Sequence, residues 1–397
     1  MLNRRSFLLS TTAALRAAGE PKRIAAIVTE YRPNSHADVI VGKYLEGYRQ
    51  DGRPPQPRSR IVSLYTAQVP PNDLSRERAQ KYGVPIYPAI PEALTLGTGR
   101  LAVDGVLLIG EHGDYPTNEK GQKLYPRYEL FMEITDVFRK TGRAVPVFND
   151  KHLSYSWGKA RRMVEISRQL NFPMLAGSSV PVAYRKPQVE TPLGARIRHA
   201  VAIGYSGLEV YGFHMLESLQ CMVERRSKGE TGVAAVRCLE NDAVWKYLDQ
   251  TPWAQKLFDQ AMARSETRKP GPLREQVKAP AAFLIDYRDG LKAAAFLMTG
   301  AVADFTVAID IDGEPLSLLM WLEDGKPYGH FACLVRNIEE MFETGAAPYP
   351  VERTLLTSGI LDFALESRFR GYKRISTPEL DVRYRVGAPS HFCTEKP

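Results

Sequence analysis

Short apolar runs alternate along the first half of the chain with longer stretches whose apolar residues recur at helical spacing. Arg23-Ile24-Ala25-Ala26-Ile27-Val28 reads as a strand, and residues 35–48, beyond the polar stretch Thr29 to Asn34, read as a helix. The same alternation predicts strands at 61–65, 86–87, 105–109, from Val145, and at 173–176. Helices are predicted at 73–82, 90–96, 128–141 and 154–170. Strands alternating with helices imply a parallel, doubly wound sheet of α/β type.

After Val180 the pattern changes. Residues 196–202 and 232–239 read as strands flanking a helix at 213–228, and from Ala281 the chain becomes a meander with strands at 281–287, 291–299, 305–311 and 316–322. Asp289-Gly290, Asp312-Gly313 and Asp324-Gly325 supply the positive φ angles of tight hairpin turns. Lys269-Pro270-Gly271-Pro272 reads as a loop, and no internal repeat is present. The expected fold is therefore an amino-terminal Rossmann-like parallel sheet over 23–180, followed by an α+β domain over 181–397 with a large, mostly antiparallel open sheet.

The 397 residues, 44% of them hydrophobic, are enough for two cores. The net charge of +8 is scattered along the chain without a basic stripe interleaved with aromatics, so no nucleic-acid partner is expected. Cys221, Cys238, Cys333 and Cys393 lie far apart without Cys-x-x-Cys spacing, which argues against a zinc knuckle or a dense disulfide framework and reads as buried thiols. Asn3-Arg4-Arg5-Ser6-Phe7-Leu8-Leu9 and the small, apolar run to Ala18 resemble a twin-arginine export signal. A signal over 1–22 would make the protein exported and periplasmic; without a working signal it would be cytoplasmic. No later segment approaches the ~20 apolar residues of a membrane span.

Chemistry concentrates at two strand ends. The run from Val145 ends in Asn149-Asp150-Lys151-His152, and the run from Gly105 ends in Gly110-Glu111-His112-Gly113-Asp114. Open parallel sheets bind ligands just beyond the carboxyl ends of their strands, so a lysine there can act on a substrate. His36, His112, His152 and His214 fall at the same inferred crevice with Glu111, Asp114 and Asp150 near them, a donor set that suits zinc or manganese. No His-x-x-x-His or comparable spacing exists, so no metal ligand is assigned.

Three phrases together resemble the Gfo/Idh/MocA oxidoreductases: Lys81-Tyr82-Gly83-Val84-Pro85-Ile86-Tyr87, Asp104-Gly105-Val106-Leu107-Leu108-Ile109, and Val147-Phe148-Asn149-Asp150-Lys151-His152 before a helix. Phe213-His214-Met215-Leu216-Glu217 is similar to that family's His-x-x-Asp helix start, and 356–384, with Thr377-Pro378-Glu379-Leu380, to its return segment. The likeness covers nearly all of the chain after the signal. It implies hydride transfer with NAD or NADP at a carbohydrate or polyol carbon.

Asp150-Lys151-His152 aligns with the family's Glu-Lys-Pro. The resemblance therefore implies that Lys151 polarises or protonates the reacting oxygen, that Asp150 orients Lys151 or His112, and that His214 is the second acid/base group. It places Glu111 and His112 at the nicotinamide, and Glu30, Tyr31, Ser35, His36 and Thr66 along the rest of the cofactor. Asp114, Tyr115, His152 and Glu217 are the implied substrate contacts.

Two positions depart from the family. The first turn, Thr29-Glu30-Tyr31-Arg32-Pro33-Asn34-Ser35-His36, contains no glycine, and Glu30 puts negative charge near a pyrophosphate unless Arg32 offsets it. After the second strand, Leu64-Tyr65-Thr66-Ala67-Gln68 lacks the acidic residue that binds ribose hydroxyls. The alternative readings are a non-redox carbohydrate hydrolase or lyase in the same crevice, using a metal or a tightly bound NAD, and a binding protein without catalysis. The second-domain sheet offers a face through which copies of the chain could pair as a homo-oligomer.

Overall fold

The computed structural model describes residues 20–51, 56–323 and 325–395, so the export-signal motif lies outside the described residues. The first part of the chain runs β1 (Arg23–Val28), α1 (His36–Glu46), β2 (Arg60–Thr66), α2 (Ser75–Tyr82), α3 (Ile90–Thr95), β3 (Gly105–Ile109), α4 (Arg127–Thr141), β4 (Val147–Asp150), α5 (Trp157–Gln169) and β5 (Met174–Gly177). The second begins with β6 (Arg185–Lys186), β7 (Ile197–Gly204), α6 (Val210–Val223), β8 (Val233–Glu240), α7 (Asp242–Gln250), α8 (Pro252–Met262) and α9 (Leu273–Gln276). It ends with β9 (Ala281–Tyr287), β10 (Lys292–Leu297), β11 (Phe305–Ile311), β12 (Glu314–Met320), α10 (Gly329–Thr344), α11 (Glu352–Phe369) and β13 (Ile375–Ser376).

The first sheet has five parallel strands in the order β2-β1-β3-β4-β5. Both faces of each central strand are buried, which is why its strands read as unbroken apolar runs. Ile24, Ala26 and Val28 share a core with α1 and α10, while Ala25 and Ile27 share one with α3, α4 and α5. The short strand expected at 86–87 is only a single parallel bridge between Ile86 and Leu64, so it adds no sixth strand. Helix α1 begins where Ser35 accepts a hydrogen bond from the Asp38 amide, an N-cap that the sequence makes plain.

The second sheet has eight strands in the order β13-β8-β9-β10-β7-β11-β12-β6 and is mostly antiparallel. The expected meander is interrupted, because β7 inserts between β10 and β11 and pairs with β10 in parallel. Gly290 and Gly313 turn two hairpins, whereas Gly325 lies on the path from β12 into α10. Helices α6 and α11 cover the inner face of this sheet. Helix α8 covers β7, β9, β10 and β11 on the outer face, which removes that area from the pairing surface expected for a homo-oligomer.

The two sheets are joined by packed helices. α5 and α11 approach so closely that a Cβ on Gly359 would stand 2.8 Å from Trp157 Cε3. α10 crosses back to pack on α1, and Cys333 within it forms a disulfide with Cys393. This corrects the expectation of four thiols: the fold brings Cα atoms 60 residues apart to 5.8 Å, within bonding geometry. Cys221 and Cys238 are free and buried. Among the described residues, no helix is long and apolar enough to cross a membrane.

Candidate active site

A cavity of about 560 Å³ opens between the carboxyl edge of the first sheet and the inner face of the second. Glu111, His112 and Lys151 reach it from the ends of β3 and β4, His36 from the start of α1, and Tyr211 and His214 from α6. Phe305 lines it from β11, and Tyr328, His330 and Phe331 from the entry to α10. Lys151 and His112 have φ angles of 63° and 70°, left-handed conformations that cost a non-glycine residue of order 1 kcal/mol or more. Such backbone persists where its surroundings dictate it: the Lys151 amide donates to the Gly177 carbonyl at 3.1 Å, which fixes the end of β4 against β5.

Glu111 organises the charges. Its Oε1 lies 3.4 Å from Lys151 Nζ, and its Oε2 accepts from the fully buried Arg127 guanidinium. Burial alone would raise the Glu111 carboxyl, but the Lys151 ammonium and the Arg127 guanidinium hold it well below the usual range. Burial pulls the His112 imidazole down to about 3 against the attraction of Glu111, aided by His36, Arg32 and Lys151. Burial, then the neighbouring Lys151 and His36, holds His214 well below its ordinary value. Both imidazoles are therefore neutral at physiological pH.

Donor inventory fixes where the His112 proton sits. Arg32 can only donate, so His112 Nδ1, 3.0 Å from Arg32 Nη2, accepts and the ring carries its proton on Nε2. His214 Nδ1 lies 2.5 Å from Ser178 Oγ, which itself accepts from the Val180 amide at 3.0 Å. The Ser178 hydroxyl therefore anchors the His214 ring to the turn after β5. His36 is arranged differently. Its Nδ1 stands 2.7 Å from Asp150 Oδ2, close in distance although off the ideal hydrogen-bond line, and a carboxylate can only accept. An imidazole set this close to a buried carboxylate is the arrangement of a general base steadied by an acid.

The structure brings Lys151, His214, His36, Glu111 and His112 to one cavity. Other expected residues fall elsewhere. Asp150, expected beside Lys151 or His112, has its Oδ2 2.7 Å from His36 Nδ1. His152 stands behind the cavity wall, its Nε2 3.1 Å from Arg127 Nη1 and its ring 5.3 Å from Phe213. Glu217 is buried and accepts from Thr357, Thr354 and the Ser178 amide, which holds α6 to α11. His214 sits one turn inside α6, not at its start.

Asp114 and Tyr115 do not line the cavity: the Asp114 backbone pairs with Gln68, and Tyr115 packs on Tyr125 at 5.7 Å. Arg127 was not foreseen as a site residue, although an arginine opening a helix opposes the helix dipole and so signals another purpose.

Glu209, at the mouth of α6, accepts from the Lys123 amide at 2.8 Å, and burial pushes its carboxyl up to about 7. The folded chain therefore retains a proton that the unfolded chain releases near 4.5, so this group's contribution to stability falls as pH rises from 4.5 through about 7. Glu209→Gln is expected to stabilise the protein above pH 7 by up to about 3 kcal/mol and to flatten that pH dependence. Thermal melts of both proteins across this range check it; equal melting above pH 7 contradicts it.

The pyrophosphate of a dinucleotide in this fold rests on the first βα turn and the amides of the following helix. Here Thr29, Tyr31 and Ser35 are fully buried in protein, and Glu30 pairs with Arg32 at 3.1 Å. Two amides around the start of α1 are already bonded, the Asn34 amide to the Asp38 carboxylate at 3.0 Å and the Asp38 amide to Ser35. Asp38 puts a carboxylate at the start of α1, and Arg78 and Lys326 flank it at 3.6 and 3.5 Å. Gln68 bridges the ends of β2 and β3 through paired hydrogen bonds to the Asp114 backbone, 2.8 and 3.1 Å long. These residues do not fit a dinucleotide seated in the ordinary way. Among the described residues, no group of three or more His, Cys, Asp or Glu side chains is placed to hold a metal ion.

This arrangement of two sheets is the two-domain fold of the Gfo/Idh/MocA-type dehydrogenases. Among solved structures, the chain resembles GenD2 from gentamicin A biosynthesis in complex with NAD at a TM-score of 0.55 and 11% identity, covering 95% of this chain and 99% of that one. It also resembles myo-inositol 2-dehydrogenase from Lactobacillus plantarum at 0.54 and 10%, covering 90% and 99%. The scyllo-inositol dehydrogenase of Lactobacillus casei with bound NAD(H) and scyllo-inositol is similar at 0.53 and 11%, covering 90% and 99%. Likeness at these identities shows the fold. No protein-family model and no curated protein matches the sequence.

Proposed function

We propose that this chain is an enzyme performing redox-neutral proton transfer on a small carbohydrate carrying a carbonyl group, a lyase or isomerase built on a dehydrogenase fold. The observation that carries this reading is the approach of His36 to Asp150 at the cavity that Lys151 also lines, beside a glycine-free first turn whose Thr29, Tyr31 and Ser35 are buried. His36 Nε2 takes the proton from the carbon beside the carbonyl, and the bonding pair moves onto the carbonyl oxygen as an enolate. Lys151 and the Nε2–H group of His112 stabilise that oxygen, as preorganised donors do for developing charge. The His36 imidazolium, steadied by Asp150, gives the proton to an oxygen leaving from the β position as the enolate pair reforms the carbonyl. On an α-hydroxy carbonyl the imidazolium instead returns the proton to the former carbonyl carbon, while the α-hydroxyl passes its proton to the former carbonyl oxygen and becomes the new carbonyl.

A second reading is hydride transfer with NAD or NADP on a sugar or polyol, favoured by the dehydrogenases this fold resembles. It requires the Gln68–Asp114 clasp to open and the turn from Thr29 to Ser35 to expose its amides. Calorimetric titration of NAD+, NADH, NADP+ and NADPH into the purified protein separates the two readings. The expected result is no binding of any of the four; stoichiometric binding of one would transfer the assignment to hydride transfer. The Cys333–Cys393 bridge supports the exported, periplasmic location, since disulfides persist in oxidising compartments.

A further inference from the structure

We infer that the outer half of the cavity is a second sugar-ring subsite built on Asp304, so that the substrate is a disaccharide or glycoside and not a free monosaccharide. This rests on the carbohydrate reading of the inner half. Asp304 lines the cavity and is only 8% exposed. Its Oδ2 is saturated, accepting from Ser265 Oγ at 3.0 Å and from the Glu266 and Thr267 amides at 2.9 and 3.1 Å. Its Oδ1 is buried and has no partner in the protein. A buried carboxylate oxygen without a donor is costly, and ligand hydroxyls supply the missing hydrogen bonds.

The aromatic rings beside Asp304 complete the subsite. Phe305, the next residue, has its ring 6.0 Å from His214 and stacked on Tyr211 at 6.2 Å, and Tyr211 meets Tyr205 at 4.8 Å. These rings and His214 line one cavity. The partly exposed Tyr205 and Tyr211, backed by the buried Phe305, offer an apolar surface for the C–H face of a sugar while a carboxylate at the edge accepts its hydroxyls. The cavity of about 560 Å³ exceeds what one pyranose requires and lies within the range of roughly 300–1,000 Å³ for pockets that enclose larger ligands.

The test is saturation-transfer NMR and calorimetry on the full chain, with cellobiose, maltose, lactose and sucrose set against methyl β-glucoside and methyl α-glucoside. At least one disaccharide is expected to bind about tenfold or more tightly than the methyl glucosides, the effect of one added hydrogen bond to a charged group. Asp304→Asn, which keeps an acceptor for the loop amides, and Asp304→Leu should both erase that difference, while Lys151→Met should retain it. Melting curves confirm that the variants fold. Equal binding of mono- and disaccharides, or a difference undiminished in Asp304→Asn, overturns the subsite alone. Failure of every sugar to bind overturns the carbohydrate reading and the subsite with it.

Discussion

Asp150→Asn is expected to lower turnover on the order of a thousandfold while leaving the fold intact, the usual range for a positioned acid/base group. Asparagine keeps the size of the buried side chain but removes the charge that lies 2.7 Å from His36 Nδ1 and that would stabilise the imidazolium after proton abstraction. The amide can also present its NH2 group to His36, which would draw the imidazole into the wrong tautomer and occupy the base. The loss should fall on kcat, since Asp150 does not line the cavity, and KM should change little. Steady-state rates beside a melting curve decide the matter: an unchanged kcat in a folded variant would remove the pair from the mechanism.

The second large effect is on stability. Arg353 and Glu224 are both buried, with Arg353 Nε 3.0 and 3.1 Å from the two carboxylate oxygens, and Tyr384 donates to the same carboxylate at 2.8 Å. This network ties α6, which carries His214, to α11 and to the returning chain near β13. Burial raises the Glu224 carboxyl, although Arg353 pulls the other way. Arg353→Ala leaves that carboxyl buried without its partner and is expected to cost about 3–5 kcal/mol, whereas replacing both residues with methionine should cost much less. Denaturant unfolding measures both. A single-variant loss below about 1 kcal/mol would mean that water or another group compensates Glu224.

Much of the fold was legible because the signals were local. The apolar run from Arg23 to Val28 became β1 residue for residue, and the runs at 105–109, 281–287 and 305–311 became strands with the same bounds. What escaped was set by distant contacts. Helix α10 has no side-chain cap at its start, and its buried face meets α1, almost 300 residues earlier. No turn residue announces that β7 lies between β10 and β11, because that pairing is non-local.

The site divides in the same way. Strand ends marked Glu111, His112 and Lys151 from sequence, since parallel sheets present ligands there. The role of Asp150 was hidden by its neighbour. Lys151 is adjacent in sequence, yet Asp150 meets His36, 114 positions away, and only the fold decides which contact forms. Asp304 and Tyr211 belong to no motif; their meaning lies in the shape of the cavity and in an oxygen left without a partner.

The account stands on proton transfer by a base in a crevice that seats no dinucleotide. The direct measurement is to incubate the purified protein in D2O with a panel of keto-sugars and no added cofactor, follow deuterium entry beside the carbonyl by NMR, and assay the denatured protein for released dinucleotide. The expected result is incorporation of solvent deuterium into at least one keto-sugar, abolished by His36→Asn, with no nicotinamide dinucleotide released. Contradiction would come from the absence of exchange across the panel, or from turnover that appears only when NAD or NADP is supplied.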